Sequence, residues 1–125
     1  MRNSRDKGSR GEREAASVLR RELGVQVERS VQRSGKGLYG PADLLVFDEA
    51  GDLSRLAVEV KRVESISVAK LVAFVRQARE DAEDAPSVVM HRKNSDPWLV
   101  SMHVCDFVRV ARAVVKLWEV NDGRL

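Results

Sequence analysis

The sequence predicts an α/β domain, a mixed sheet of about five strands flanked by helices in the order α-β-β-β-α-β-β-α. Three observations predict it. Short segments alternate apolar and polar residues with a period of two, as half-buried strands do. Longer segments repeat apolar residues every three or four positions, as amphipathic helices do. Glycine, proline and small polar clusters separate the two kinds of segment.

Residues 1–7 read as a mobile basic arm. A helix is expected from about Ser9 to Leu23, with Gly24 where a left-handed glycine closes helices. A short strand follows near Val25 to Arg29. "SVQRSGKGLYGP", residues 30–41, gathers its glycines and proline in its second half and reads as a long loop. Loops of that length in small domains often carry function. "ADLLVFD" and "RLAVEVKR" are strands on either side of the turn "EAGD", and should pair antiparallel. From Ser67 to Asp84 the pattern is helical, with Val68, Leu71, Val72, Val75, Ala78 and Ala82 on one stripe and Pro86 beyond its end. "SVVMHR" and "PWLVSMHV" are strands around the turn "KNSD". A C-terminal helix and tail fill residues 106–125, with Asp106 as N-cap. Phe107, Val110, Ala111, Val114, Leu117 and Trp118 line one side of that helix, while Val108 and Val115 lie off the stripe and suit a second contact.

The 125 residues suit one domain, residues 1–125, and a hydrophobic fraction of 43% supplies its core. No apolar run approaches the roughly 20 residues of a membrane span. The polar N-terminus lacks the apolar stretch of a secretory leader. A single cysteine, Cys105, forms no internal disulfide and reads as a small packed residue. These features point to the cytoplasm. The net charge is only +3, but the bases are clustered. Arg10 belongs to a first group in residues 1–13. Arg29, Arg33 and Lys36 form a second, and His91, Arg92 and Lys93 a third. Any one cluster is accounted for by solvated surface; three in or beside loops point toward a nucleic acid.

The strand "LAVEVKR", residues 56–62, raises the chemical question. Leu56, Val58 and Val60 share one face; Ala57, Glu59 and Lys61 share the other. An edge strand with a wet face accounts for such charges. Two further acids support a different reading. Asp43 opens the preceding strand, joined to the Glu59 strand by a tight turn, although an ordinary strand-edge aspartate accounts for it too. Glu12 falls near the centre of the apolar face that Ala15, Ala16, Leu19 and Leu23 define on the first helix, where a fraying end that reaches water is the other account. If Glu12, Asp43 and Glu59 converge, three carboxylates need a cation. All-oxygen ligation suits Mg²⁺ or Mn²⁺ and not zinc, and His91 and His103 read as structural. Lys61 beside such an ion completes a hydrolytic site for a phosphodiester.

At this point "GPAD" followed by "VEVK" resembles the PD-(D/E)xK nuclease signature, with the proline one residue further from the aspartate than in the signature's name. "KGSRGERE", residues 7–14, resembles the opening of archaeal and phage-type Holliday junction resolvases within that superfamily, and "HRKNSDPWLVSMHV" resembles the final hairpin of small phage members. The resemblance covers roughly residues 7–104, and the last helix lies outside it. It implies a restriction-endonuclease-like core, with Glu12, Asp43, Glu59 and Lys61 as catalytic residues and the three acids on the metal. It also implies Gln77 as an accessory residue on the helix after the ExK strand. The expected reaction is Mg²⁺-dependent (or Mn²⁺-dependent) cleavage of DNA, most concretely paired symmetric nicks in a four-way junction made by a homodimer. Arg10, Arg29, Arg33, Lys36 and Arg62 are the expected DNA contacts. The setting would be a bacterial, archaeal or phage-infected cell. Two alternatives stay open: an endonuclease for other branched, flap or duplex DNA, and a non-catalytic DNA-binding subunit with a nuclease fold.

Overall fold

The computed structural model describes residues 4–29, 42–47, 53–82 and 85–120. The elements are α1 (Ser4–Leu23), β1 (Val27–Arg29), β2 (Leu44–Phe47), β3 (Leu53–Arg62), α2 (Val68–Ala82), β4 (Ser87–Arg92), β5 (Leu99–Ser101) and α3 (Val104–Val120). They follow the order expected from periodicity. The loop at residues 30–41 and the turn "EAGD" lie outside the described residues.

The five strands form one mixed sheet in chain order, β1-β2-β3-β4-β5. β2 runs antiparallel to both β1 and β3, β3 and β4 are parallel with α2 as the crossover, and β5 pairs antiparallel with β4. β3 is therefore the central strand. This removes the edge-strand account of Glu59 and Lys61, because both neighbours of β3 are present.

α1 packs on one face of the sheet. Ala15 and Ala16 are fully buried there with Val27, Leu44, Val46, Val58, Val60 and Met90. The approach is close: a Cβ on Gly11 would meet Arg62 Cβ at 3.3 Å. Gly24 ends α1 at φ 67°, its N–H bonded to the Arg20 carbonyl at 2.9 Å. That is the left-handed cap the sequence predicts. α2 packs on the other face, where Ala78 is buried with Ala57 and Val89. Ser67 caps α2 by accepting the Lys70 N–H at 3.1 Å.

The structure corrects several expectations. Cys105, read as a small packed residue, is exposed. α1 starts at Ser4, so most of the expected arm is helical; Gly8 costs a helix about 1 kcal/mol but does not stop it. α2 keeps only part of its predicted stripe. Ala78 is buried and Leu71, Val75 and Ala82 are half-buried as expected, but Val68 is 79% exposed and Val72 is exposed, while Phe74, off the stripe, turns inward. α3 begins two residues before Asp106, because His103 does the capping: its Nδ1 accepts the Cys105 N–H, and its carbonyl accepts those of Asp106 and Phe107, all at 3.0 Å. Asp106 is buried instead, holding Arg79 at 3.2 Å and accepting from Ser87 Oγ at 3.4 Å. Finally, the apolar side of α3 does not become core. Phe107 is 56% exposed, and Val110, Val114, Val115 and Leu117 are exposed as well. Among the described residues no helix is long and apolar enough to cross a membrane.

Candidate active site

The register of β2 on β3 aligns Leu44 with Val58 and Leu45 with Ala57, which carries Asp43 opposite Glu59. β2 begins only at Leu44, and the Asp43 side chain takes over there: its Oδ2 accepts the Val60 N–H at 2.9 Å. A backbone donor of the central strand thus fixes that carboxylate beside Glu59.

Glu59 is in an unfavourable place for a charge. Burial is the main cause, followed by the Asp43 charge and a side-chain hydrogen bond with Asp43; Asp81 adds to the effect and Lys61 opposes it. Together they push the Glu59 carboxyl from about 4.5 up to about 9. Glu59 Oε1 is buried with no hydrogen-bond partner. At neutral pH Glu59 holds a proton that a cation could replace. The donor set, two carboxylates with a free buried oxygen, fits a hard divalent ion. Lys61 lies on the same face, its Nζ 4.8 Å from the centroid of the Phe74 ring.

The remaining predicted residues are placed as follows. Glu12 Oε2 accepts two hydrogen bonds from Arg29, at 2.8 Å from Nη2 and 3.1 Å from Nε. Arg29 pairs with Leu44 across β1 and β2, so this ion pair stands one residue along from Asp43. Its charge is nevertheless answered by Arg29. Among the described residues no three His, Cys, Asp or Glu side chains sit together in a way that could hold a metal ion. The structure therefore unites Asp43, Glu59 and Lys61 and leaves Glu12 with Arg29, a correction to the expected three-acid cluster. Arg62, expected on the DNA surface, is instead drawn under α1. Its side chain is 16% exposed and pairs with Glu14 at 2.9 Å. Arg10 is exposed, and Arg33 and Lys36 lie outside the described residues. Gln77 is exposed and donates to Asp81 Oδ1 at 2.9 Å. His91 Nε2 lies 2.9 Å from Ser101 Oγ, and burial lowers its pKa.

Sequence reasoning missed Asp81 and Phe74. Their signal is spacing: Phe74, Ala78 and Asp81 recur at four and then three positions, so they share one helix face. Phe74 fits an apolar stripe as well as Val72 does, and only the packed helix decides between them.

With this geometry in view, the comparisons are direct. Residues 3–120 match the family described as "Phage putative PDDEXK endonuclease". The chain belongs to that family. In this chain Asp43 stands just ahead of β2, and Glu59 and Lys61 lie on the adjacent β3. Among solved structures it is similar to Hjc of Archaeoglobus fulgidus, a Holliday junction resolvase from an archaeal hyperthermophile. The TM-score is 0.46 and the identity 22%, over 75% of this chain and 70% of that one. Comparison with curated proteins gives no match.

Proposed function

We propose that this nuclease is a divalent-cation-dependent, structure-selective DNA endonuclease that resolves four-way junctions by paired symmetric nicks. The observation that carries the reading is the Asp43 carboxyl, just ahead of β2, set opposite Glu59 of the central strand with Lys61 two residues on. Asp43 and Glu59 would hold the ion, and Glu12 would join by exchanging Arg29 for it. Mg²⁺ or Mn²⁺ supplies Lewis acidity toward a phosphoryl oxygen and charge for activating water. The chain's own part is separate. Asp43, tied to the Val60 N–H, orients the acidic pair. Lys61 offers a positive charge to the pentacoordinate phosphorus as negative charge develops there. Gln77, beside Asp81, would serve as accessory polar group. Arg10, Arg29, Arg33 and Lys36 would neutralise DNA phosphates, contacts that position the duplex without reading its bases.

Preference for a four-way junction rests on the resemblance of the α1 opening to resolvases. Two symmetric nicks need two sites, hence a C2 homodimer. The exposed apolar residues of α3, with Val108 and Val115 on one side and Phe107, Val110 and Val114 on the other, offer the surface for it. Such an enzyme would work in the cytoplasm of a bacterial, archaeal or phage-infected cell.

The test is cleavage of end-labelled four-way junction, flap, duplex and single strand, each with Mg²⁺ and with chelator. Paired nicks in the junction alone, lost with chelator, are the expected result. Preferential cutting of flap or duplex replaces the junction with another DNA substrate. Binding of all substrates without cutting any would mean a non-catalytic subunit.

A further inference from the structure

We infer that Phe74 is a positioning residue for Lys61: its ring face holds the ammonium at the site and leaves the ammonium's N–H donors for substrate oxygens. The inference rests on the nuclease reading above. Lys61 has a long, flexible stem and stands two residues from Glu59, on the same face and within electrostatic reach of it. Left to itself, an ammonium beside two carboxylates folds onto them as an ion pair. It would then be turned away from an incoming phosphate and would compete with a divalent ion for the same oxygens.

The structure offers a counterweight. The Nζ lies 4.8 Å from the Phe74 centroid, inside the roughly 6 Å range of cation–π attraction. A π face attracts charge but is a poor hydrogen-bond acceptor, so the three donors of the ammonium stay available. A carboxylate at position 74 would hold Lys61 more strongly and spoil it for phosphate.

The placement of Phe74 is set by the fold. α2 links the parallel strands β3 and β4, so it runs opposite to β3. Residues early in α2 therefore meet residues late in β3. Phe74 meets Lys61, and Asp81, seven residues on, acts on Glu59, two residues back. Ala78 lies between them at 2% exposure, small enough to let the helix close on the sheet. The Phe74–Lys61 contact and the burial of Ala78 one turn on go with a rotation of α2 that turns Phe74 inward while Val72 stays exposed.

The experiment compares wild type, Phe74→Leu and Phe74→Tyr. Lysines are dimethylated with ¹³C-formaldehyde under reducing conditions, and Lys61→Arg assigns the Lys61 signal. Wild type and Phe74→Tyr should give a Lys61 resonance shifted upfield by the ring, which Phe74→Leu abolishes. In unmethylated protein at saturating DNA and Mg²⁺, Phe74→Leu should slow cleavage about 10-fold, with DNA affinity and Tm close to wild type. Phe74→Tyr should retain most of the rate. The inference is overturned if the Lys61 signal is unshifted in wild type or if Phe74→Leu cleaves at the wild-type rate. It is also overturned if Phe74→Leu loses rate only in step with Tm while Phe74→Tyr fails to rescue. A wild-type chain that cuts no DNA brings down the nuclease reading and this role with it, and the shifted resonance then reports the ring contact alone.

Discussion

The two faces of β3 treat charge in opposite ways. On the α1 face, Glu14 lies between two cations, Arg62 at 2.9 Å and Arg92 at 4.0 Å, and Arg92 also stands over the Trp98 ring at 5.4 Å. On the α2 face, Glu59 meets Asp43 and feels Asp81, with Lys61 as the opposing charge. Both faces hold buried polar atoms without hydrogen-bond partners: Glu14 Oε2, Arg62 Nε and Arg92 Nε on the first, Glu59 Oε1 on the second. The signs differ, however. The first set mixes anion and cations and compensates itself. The second opposes like charges that Lys61 offsets only in part, leaving the rest to a proton. The same strand thus compensates its charges on one face and holds opposed carboxyls on the other.

The sharpest way to break this comparison is to disable each face in turn. Asp43→Asn and Lys61→Ala should each lower cleavage by about 10³-fold without lowering Tm, because these groups serve the reaction and not the core. Gel-based cleavage rates and thermal melts check both halves. Glu14→Ala should do the reverse. It leaves Arg62 and Arg92 facing each other without their anion and should destabilise by about 2 kcal/mol, less than a fully buried pair would lose because Glu14 is partly exposed. Denaturant unfolding measures that loss, and cleavage well below the melting temperature should persist.

The α2 face also predicts a pH dependence. Glu59 keeps its proton in the folded state up to about pH 9, whereas the unfolded chain releases it near 4.5. Between these values the native state binds more protons than the unfolded state, so this group makes stability fall as pH rises from about 4.5 to about 9. Melting curves of the cation-free protein should show that decline. Glu59→Gln should flatten it and raise Tm by about 3 °C or more near pH 8. A divalent ion should raise the wild-type Tm at pH 8 and leave that of Glu59→Gln nearly unchanged. The smallest expected effect lies away from both faces. Gly24→Ala puts a side chain on a φ of 67° and should cost about 1 kcal/mol, with no change in cleavage or cation response.

What the sequence made legible was local. A period of two puts Glu59 and Lys61 on one face of their strand wherever that strand ends up, and Gly24 marks the end of α1 from its own backbone freedom. β4 spans Ser87 to Arg92, the segment the sequence marks as a strand before the turn "KNSD". What stayed hidden depends on partners distant in the chain. The central position of β3 follows from its parallel pairing with β4, which no local pattern encodes. Glu12 looks core-facing from α1 alone, and its partner Arg29 lies seventeen residues away. α2 offers more apolar positions than one face can bury, so its rotation was undetermined until Phe74 met Lys61. The apolar stripe of α3 reads the same whether or not this chain's own core covers it, and only the folded structure shows that it does not.

The most direct test of the central claim is calorimetric titration of Mn²⁺ into wild type and Asp43→Asn at pH 7.5, in two buffers of different ionisation enthalpy. Wild type should bind Mn²⁺ and release a proton to the buffer as the ion displaces it from the Asp43–Glu59 pair, and Asp43→Asn should bind far more weakly. Equal binding by both proteins, or binding with no proton released, would contradict the account.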